Sequence, residues 1–191
     1  MVCGIQGIAP GAAVAEDAAM VCPFRGLQVF DEEHTRFFFG RSALAQHLIE
    51  QLRADRFLAV LGPSGSGKSS LVRAGVLPQI RNGVLPGSQH WPIVIFKPGA
   101  RPLENLASRL LPFIAKGADP IQVRQSLLEL LRKDERGLHS TVQIALAEAS
   151  DTLRFLIVVD QFEEVFTLCD QPDSPLPFIN NSLYAVDKKV L

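Results

Sequence analysis

The sequence predicts an α/β fold, a parallel sheet flanked by helices, on three observations. Three short apolar runs of strand length, at 57–61, 92–96 and 154–159, are separated by stretches of helical periodicity. Strand, helix, strand, helices, strand is the alternation of a parallel sheet. The first run passes directly into Gly62-Pro63-Ser64-Gly65-Ser66-Gly67-Lys68-Ser69-Ser70, in which Gly, four residues, then Gly-Lys-Ser is the spacing of a phosphate-binding P-loop. The last run ends on Asp160, a carboxylate at the C-terminal edge of the sheet, where α/β folds bind ligands.

The whole chain bounds the reading. Its 191 residues suffice for one α/β domain with a proper core. A net charge of −1 gives no general affinity for nucleic acid or anionic membranes. The apolar runs are too short to span a bilayer. Cys3, Cys22 and Cys169 are odd in number and far apart, which implies neither a disulfide framework nor a metal cluster and suits a reducing cytoplasm. His34, His47, His90 and His139 show no ligand spacing and read as surface residues.

In chain order, residues 1–22 are rich in Ala and Gly without periodicity and read as a disordered lead-in; the domain is expected over 23–191. The stretch 23–41 holds five of the twelve phenylalanines, which anchor it onto the core or shape a base pocket. Asp31 is placed to cap a short helix with Glu32 and Glu33 in its first turn. Ser42 then caps a helix with Leu44, Leu48, Ile49 and Leu52 on its apolar face. After 57–61 and the glycine-rich loop, Leu71, Val72 and Val76 continue as a helix that Pro78 ends.

Asn82-Gly83 and Pro86-Gly87 mark turns, and Pro92-Ile93-Val94-Ile95-Phe96 is the second strand, closed by Pro98-Gly99. Pro102 opens a helix with Leu103, Leu106, Leu110 and Leu111 on one side. Asp119-Pro120 starts another carrying Ile121, Leu127, Leu128 and Leu131, and Gly137 separates it from a third near 140–149.

The chemistry follows from residue types. Gly62, Gly65 and Gly67 permit backbone angles that a Cβ would forbid, so that successive N–H groups can form a concave anion site. A helix beginning near Lys68 adds unpaired N–H groups and a positive dipole end. Lys68 would reach the β- and γ-phosphates of a nucleotide, and the Ser69 hydroxyl would bind Mg²⁺. Four such fixed positions recur by chance in about one chain in a hundred of this length. Leu156-Ile157-Val158-Val159-Asp160 is a Walker B pattern, whose aspartate would hold Mg²⁺ through a water. If a helical turn follows at once, Glu163 and Glu164 return to the side of Asp160, where either would align an attacking water. The simpler role for this pair is complementing a helix N-terminus.

Together, the arm 23–41, the P-loop and the run Val158-Val159-Asp160-Gln161-Phe162-Glu163-Glu164-Val165-Phe166-Thr167-Leu168 resemble the bacterial novel STAND NTPases that often precede WD-type repeats. The resemblance extends from about Pro23 to Val190 and implies a P-loop NTPase fold and an ATP-driven switch, closed with ADP and open or self-associating with ATP. It implies ATP or ADP and Mg²⁺ as ligands, and effector or repeat domains as partners in an intact parent that hydrolyses ATP. In similar ATPases a Gly-Arg step lies near the adenine, which places Gly40 and Arg41, with Phe39, in the base pocket; Ser42 stands where many relatives carry an acidic residue. The resemblance also implies a polar sensor strand after the segment 178–191, set between the Walker A and Walker B strands. Without it the middle of the sheet is expected to be unpaired, and activity of this chain alone is expected to be lost. The alternatives are a non-hydrolysing nucleotide-binding or interaction scaffold, a transporter ATPase and a nucleotide kinase. The first remains open; the stretch 133–152 lacks the Leu-Ser-Gly-Gly of a transporter, and no arginine-rich lid suits a kinase.

Overall fold

Pairing of the second and third apolar runs supplies the frame of the molecule. The structure, a computed structural model, describes residues 40–147, 154–169 and 175–187. The lead-in 1–22, most of the arm 23–41 and Phe39 lie outside these residues. Strands β1 (Ile93–Phe96) and β2 (Leu156–Val159) pair in parallel, with Ile93 opposite Leu156 and Phe96 opposite Val159. The two-residue period of the strands splits their side chains between two cores. Val94 and Phe96 turn into one core, and Ile93 and Leu156 pack against the other.

The first core is built by four helices, α4 (Pro102–Ile114), α5 (Pro120–Lys133), α6 (Gly137–Leu146) and α8 (Pro175–Asp187). Leu103, Leu106, Leu110, Leu127, Leu131, Leu138, Val142 and Phe178 meet there, and Phe155 is buried among them. The starts of α4 and α5 follow the predicted punctuation. Pro102 is the first residue of α4, and the Asp119 carboxylate accepts from Ile121 N at 3.0 Å, capping α5. Gly137 opens α6 rather than separating two helices. A Cβ there would lie 3.2 Å from the Leu130 backbone and 3.1 Å from Asn181 Oδ1, so any larger residue would require these neighbours to give by a few tenths of an ångström.

The second core lies across the sheet under α1 (Ser42–Ala54), where Ala45, Leu48 and Ile49 are buried against Leu71, Val76, Ile80, Leu85 and Trp91. Leu44 is exposed, and so is Ile121 on α5, because each falls at the margin of its helix's apolar stripe. Ser42 does not cap α1. Arg41 occupies that position and makes no side-chain cap bond.

Behind the glycine-rich loop runs one helical rod: α2 (Lys68–Ser70), a π-helical segment (Leu71–Val76) and α3 (Leu77–Arg81). Pro78 does not end it. Proline cannot donate to the carbonyl four residues back and its ring collides with it, and the wider π turn relieves both demands. Leu77 N accordingly donates to Val72 O, while Gln79 Nε2 donates to the Gly75 carbonyl at 2.9 Å. After the rod, the Ser88 hydroxyl, itself buried, donates to Ile80 O at 2.7 Å and accepts from Leu85 N, folding the turn 82–90 onto the rod.

The run 57–61 departs from expectation. It alternates as a strand would, with Leu58 and Val60 against the second core and Phe57 and Leu61 exposed at 61% and 90%. Yet it joins no ladder among the described residues, and the sheet consists of β1 and β2 alone. A strand is defined by the bonds of a neighbour, and among the described residues none pairs with this segment. No described helix is long and apolar enough to cross a membrane.

Candidate functional site at the glycine-rich loop

The loop 62–67 turns tightly before the rod. Gly65 and Gly67 hold φ of +75° and +81°, the left-handed region that side chains resist, as the sequence predicts. Gly62 is not in that region and is crowded only by side chains of its own loop. A Cβ there would stand 3.1 Å from Ser66 Oγ, where the loop folds back on itself. Leu71 N donates to Gly67 O at 2.8 Å and ties the end of the loop into the first turn of the rod.

Two cations close over this loop. Lys68 Nζ donates to the carbonyls of Gly62 at 2.7 Å and Pro63 at 2.9 Å, crossing the loop it terminates. Arg41 Nη1 donates to Ser66 O at 2.6 Å and lies against Gly67, so Gly40 and Arg41 stand at the mouth of the loop.

Asp160 is brought to the same place from the far end of the sequence. Its backbone N donates to Phe96 O at 2.9 Å, which extends the β1–β2 ladder by one residue and fixes where the side chain leaves the sheet. Asp160 Oδ1 accepts from Ser69 Oγ at 2.6 Å, and Oδ2 accepts from Arg73 Nη2 at 3.0 Å. The carboxylate is only 9% exposed and its arginine partner 23%. A buried carboxylate is stable only when paired and hydrogen-bonded, and this one has both partners on a single helix face, four residues apart.

Gln161 then takes φ +57°, a conformation uncommon for a residue with a side chain. That reversal delays the next helix, α7 (Glu164–Thr167), so the spacing from Asp160 to the glutamate pair is not helical. Glu164 Oε2 instead accepts from Gly99 N at 3.0 Å, tying α7 to the loop after β1, while Glu163 is exposed. Phe162 stacks on Phe178 of α8 at 6.0 Å, anchoring this turn to the first core.

Residues 23–190 match the family model Novel STAND NTPase 1. The chain belongs to the novel STAND NTPases. No curated protein and no solved structure matches it. In this novel STAND NTPase, the predicted residues Gly40, Arg41, Gly62 to Ser70 and Asp160 share one neighbourhood, joined by the bonds of Arg41, Lys68 and Ser69. Glu164 is held at Gly99, and Phe39 lies outside the described residues.

Arg73 and Gly99 were missed. Arg73 was legible as the residue one helical turn beyond Ser69; Gly99 carried no signal, because its backbone N–H does the binding. Of the histidines, His47 and His90 are exposed as predicted, whereas His139 is half-buried with its ring edge on Tyr184 at 5.7 Å. Among the described residues no cluster of three or more His, Cys, Asp or Glu could hold a metal. A hydroxyl and one carboxylate are instead the sparse set of hard oxygens that suits Mg²⁺, which keeps waters and phosphate oxygens for its remaining positions.

Proposed function

We propose that this novel STAND NTPase binds ATP or ADP with Mg²⁺ at the loop 62–70 and acts as a nucleotide-controlled switch that hydrolyses ATP in an intact parent protein. The observation that carries this reading is the convergence of Ser69 Oγ and the Asp160 carboxylate at 2.6 Å beside a loop closed by Lys68. Ser69 and Asp160 are the residues that would hold the magnesium ion, whose chemistry when bound is to neutralise charge on the phosphates. Lys68 would exchange the Gly62 and Pro63 carbonyls for phosphate oxygens, a stronger charge-assisted pairing. Backbone N–H groups of the glycine-rich loop, Pro63 having none, would line the anion site. Gly40 and Arg41, at the mouth of the loop, would bound the side on which the base rests, and the family resemblance adds Phe39 to them. Glu163 or Glu164 would orient the water, Glu164 only after leaving Gly99 N. We place the protein in the cytoplasm, with self-association or effector and repeat domains as its partners.

A second reading is a scaffold that binds nucleotide without turning it over, and the engagement of Glu164 with Gly99 favours it. Fluorescent-nucleotide binding and phosphate release decide between the two. Lys68→Ala abolishes nucleotide binding, and Asp160→Asn weakens Mg²⁺-dependent binding more than metal-free binding. Unchanged affinity in the Lys68 variant refutes the site. Equal losses with and without metal in the Asp160 variant reject the metal role. Binding without any phosphate release selects the scaffold.

A further inference from the structure

The nucleotide reading uses Ser69 and Asp160 and leaves Arg73 without a role. Resting on that reading, we propose that Arg73 is the resting counter-ion of the cation site: it competes with the divalent cation for Asp160, and so sets how much magnesium the protein needs to hold a nucleotide.

Both oxygens of the carboxylate are committed to protein groups, Oδ1 to Ser69 Oγ at 2.6 Å and Oδ2 to Arg73 Nη2 at 3.0 Å. With its side chain only 9% exposed, Asp160 has little water to solvate its charge, and the guanidinium supplies the neutralising partner that burial demands. A divalent cation drawn to Ser69 and Asp160 brings a larger charge to the same carboxylate. A guanidinium bonded to that carboxylate is then a like charge at close range in a poorly screened site. One of the two must yield.

Arg73 is able to yield. It sits in the π-helical segment with a side chain 23% exposed, on a long stem, directly behind the loop where phosphate charge would collect. Lys68 is committed in the same manner, its Nζ spent on Gly62 and Pro63 carbonyls. Both cations are thus held by protein groups, and loading would exchange both pairings. A residue that merely positioned Asp160 would have the opposite effect on removal, since a disordered carboxylate binds a cation less well.

The test is a Mg²⁺ titration of fluorescent-ADP binding, with Mn²⁺ binding measured directly by electron paramagnetic resonance, on the full chain. Arg73→Gln should lower the half-saturating Mg²⁺ concentration about tenfold, the factor carried by one charge-assisted hydrogen bond, and tighten Mn²⁺ binding likewise. Arg73→Lys, which keeps the charge, should stay near wild type. Where thermal melts show the glutamine variant unfolded, Arg73→Met preserves the apolar stem and takes its place. A half-saturating concentration that is unchanged or raised in the neutral variants overturns the proposal. Asp160→Asn separates the two levels of inference. Persistent Mg²⁺ dependence in that variant defeats the cation-site reading itself. Lost dependence there, without tightening in the Arg73 variants, defeats the role of Arg73 alone.

Discussion

Replacing Asn181 with leucine should loosen the helical layer that supports the site. Asn181 is 1% exposed, and its amide joins three helices. Oδ1 accepts from Leu138 N at 2.8 Å and Nδ2 donates to Leu131 O at 2.8 Å. Leu138 lies in the first turn of α6 and Leu131 in the last turn of α5, where backbone groups have no partner within their own helix. One side chain therefore caps two helices at once. Its third bond, to Pro177 O at 2.9 Å, falls within α8, where the ladder supplies a donor of its own, so its loss adds little. Each buried backbone group left without a partner costs about 1–3 kcal/mol, so two give about 2–6 kcal/mol, partly offset by the added apolar burial. Against a total stability of about 5–15 kcal/mol this is a large fraction.

At about 2–4 °C per kcal/mol for a chain of this size, the melting temperature should fall by roughly 5–15 °C. Thermal and urea denaturation of Asn181→Leu and Asn181→Asp measure it. The aspartate keeps the acceptor for Leu138 N but buries an unpaired carboxylate against the Leu131 carbonyl, so it should melt at or below the leucine variant. A leucine variant melting within about 2 °C of wild type would refute the double-cap reasoning. The loss should reach the site, because Phe178 on α8 stacks edge-on to Phe96 at 6.1 Å and contacts Phe162 at 6.0 Å, two residues past Asp160.

Two further outcomes are expected. Glu164→Gln, which keeps an acceptor for Gly99 N but removes the carboxylate, should leave nucleotide affinity within about twofold and, in an intact parent protein, reduce phosphate release by about two orders of magnitude, as for a lost general base; equal release in the variant and wild-type parent, alongside a loss in Glu163→Gln, would transfer the role to Glu163. Gly67→Ala should weaken nucleotide binding and lower stability by about 1 kcal/mol, since its φ of +81° is strained for alanine and the new Cβ would stand 3.4 Å from Arg41 Nη1; an unaltered melt and titration would show that the loop relaxes freely.

What was legible in the sequence depended on whether a residue's own chemistry or its neighbour's conformation decided the outcome. Pro102, Asp119 and Pro120 state their roles locally, and α4 and α5 begin where they dictate. Lys68, Ser69 and Asp160 were readable because their spacing has a chemical reason, and Ser69 and Asp160 are in contact. The strand at 57–61 was not, because an apolar run records what can be buried and not which backbone will pair with it. Pro78 reads as a helix stop only while the helix is assumed to keep its α hydrogen bonds, and the π segment removes that assumption. The helical spacing from Asp160 to the glutamates is broken by one residue, Gln161, whose left-handed backbone nothing in its side chain announces. Asn181 carried no signal at all, since an asparagine within a helical stretch looks like a surface residue until three helices close around it.

The parallel pairing of β1 with β2 has a consequence for how the protein folds. Ser69 and Asp160 are 91 positions apart, and Arg73 and Asp160 87, whereas the contacts of α4 with α5 and α5 with α6 join chain neighbours. Local helical pairs form early, and closures across such long stretches come late because their loop entropy must first be overcome. The loop and its carboxylate therefore meet only once the chain is nearly native. Partly folded species present the glycine-rich loop without its acidic partner, so under the proposed function nucleotide with magnesium would select the finished molecule from its precursors and raise the apparent stability of that molecule alone.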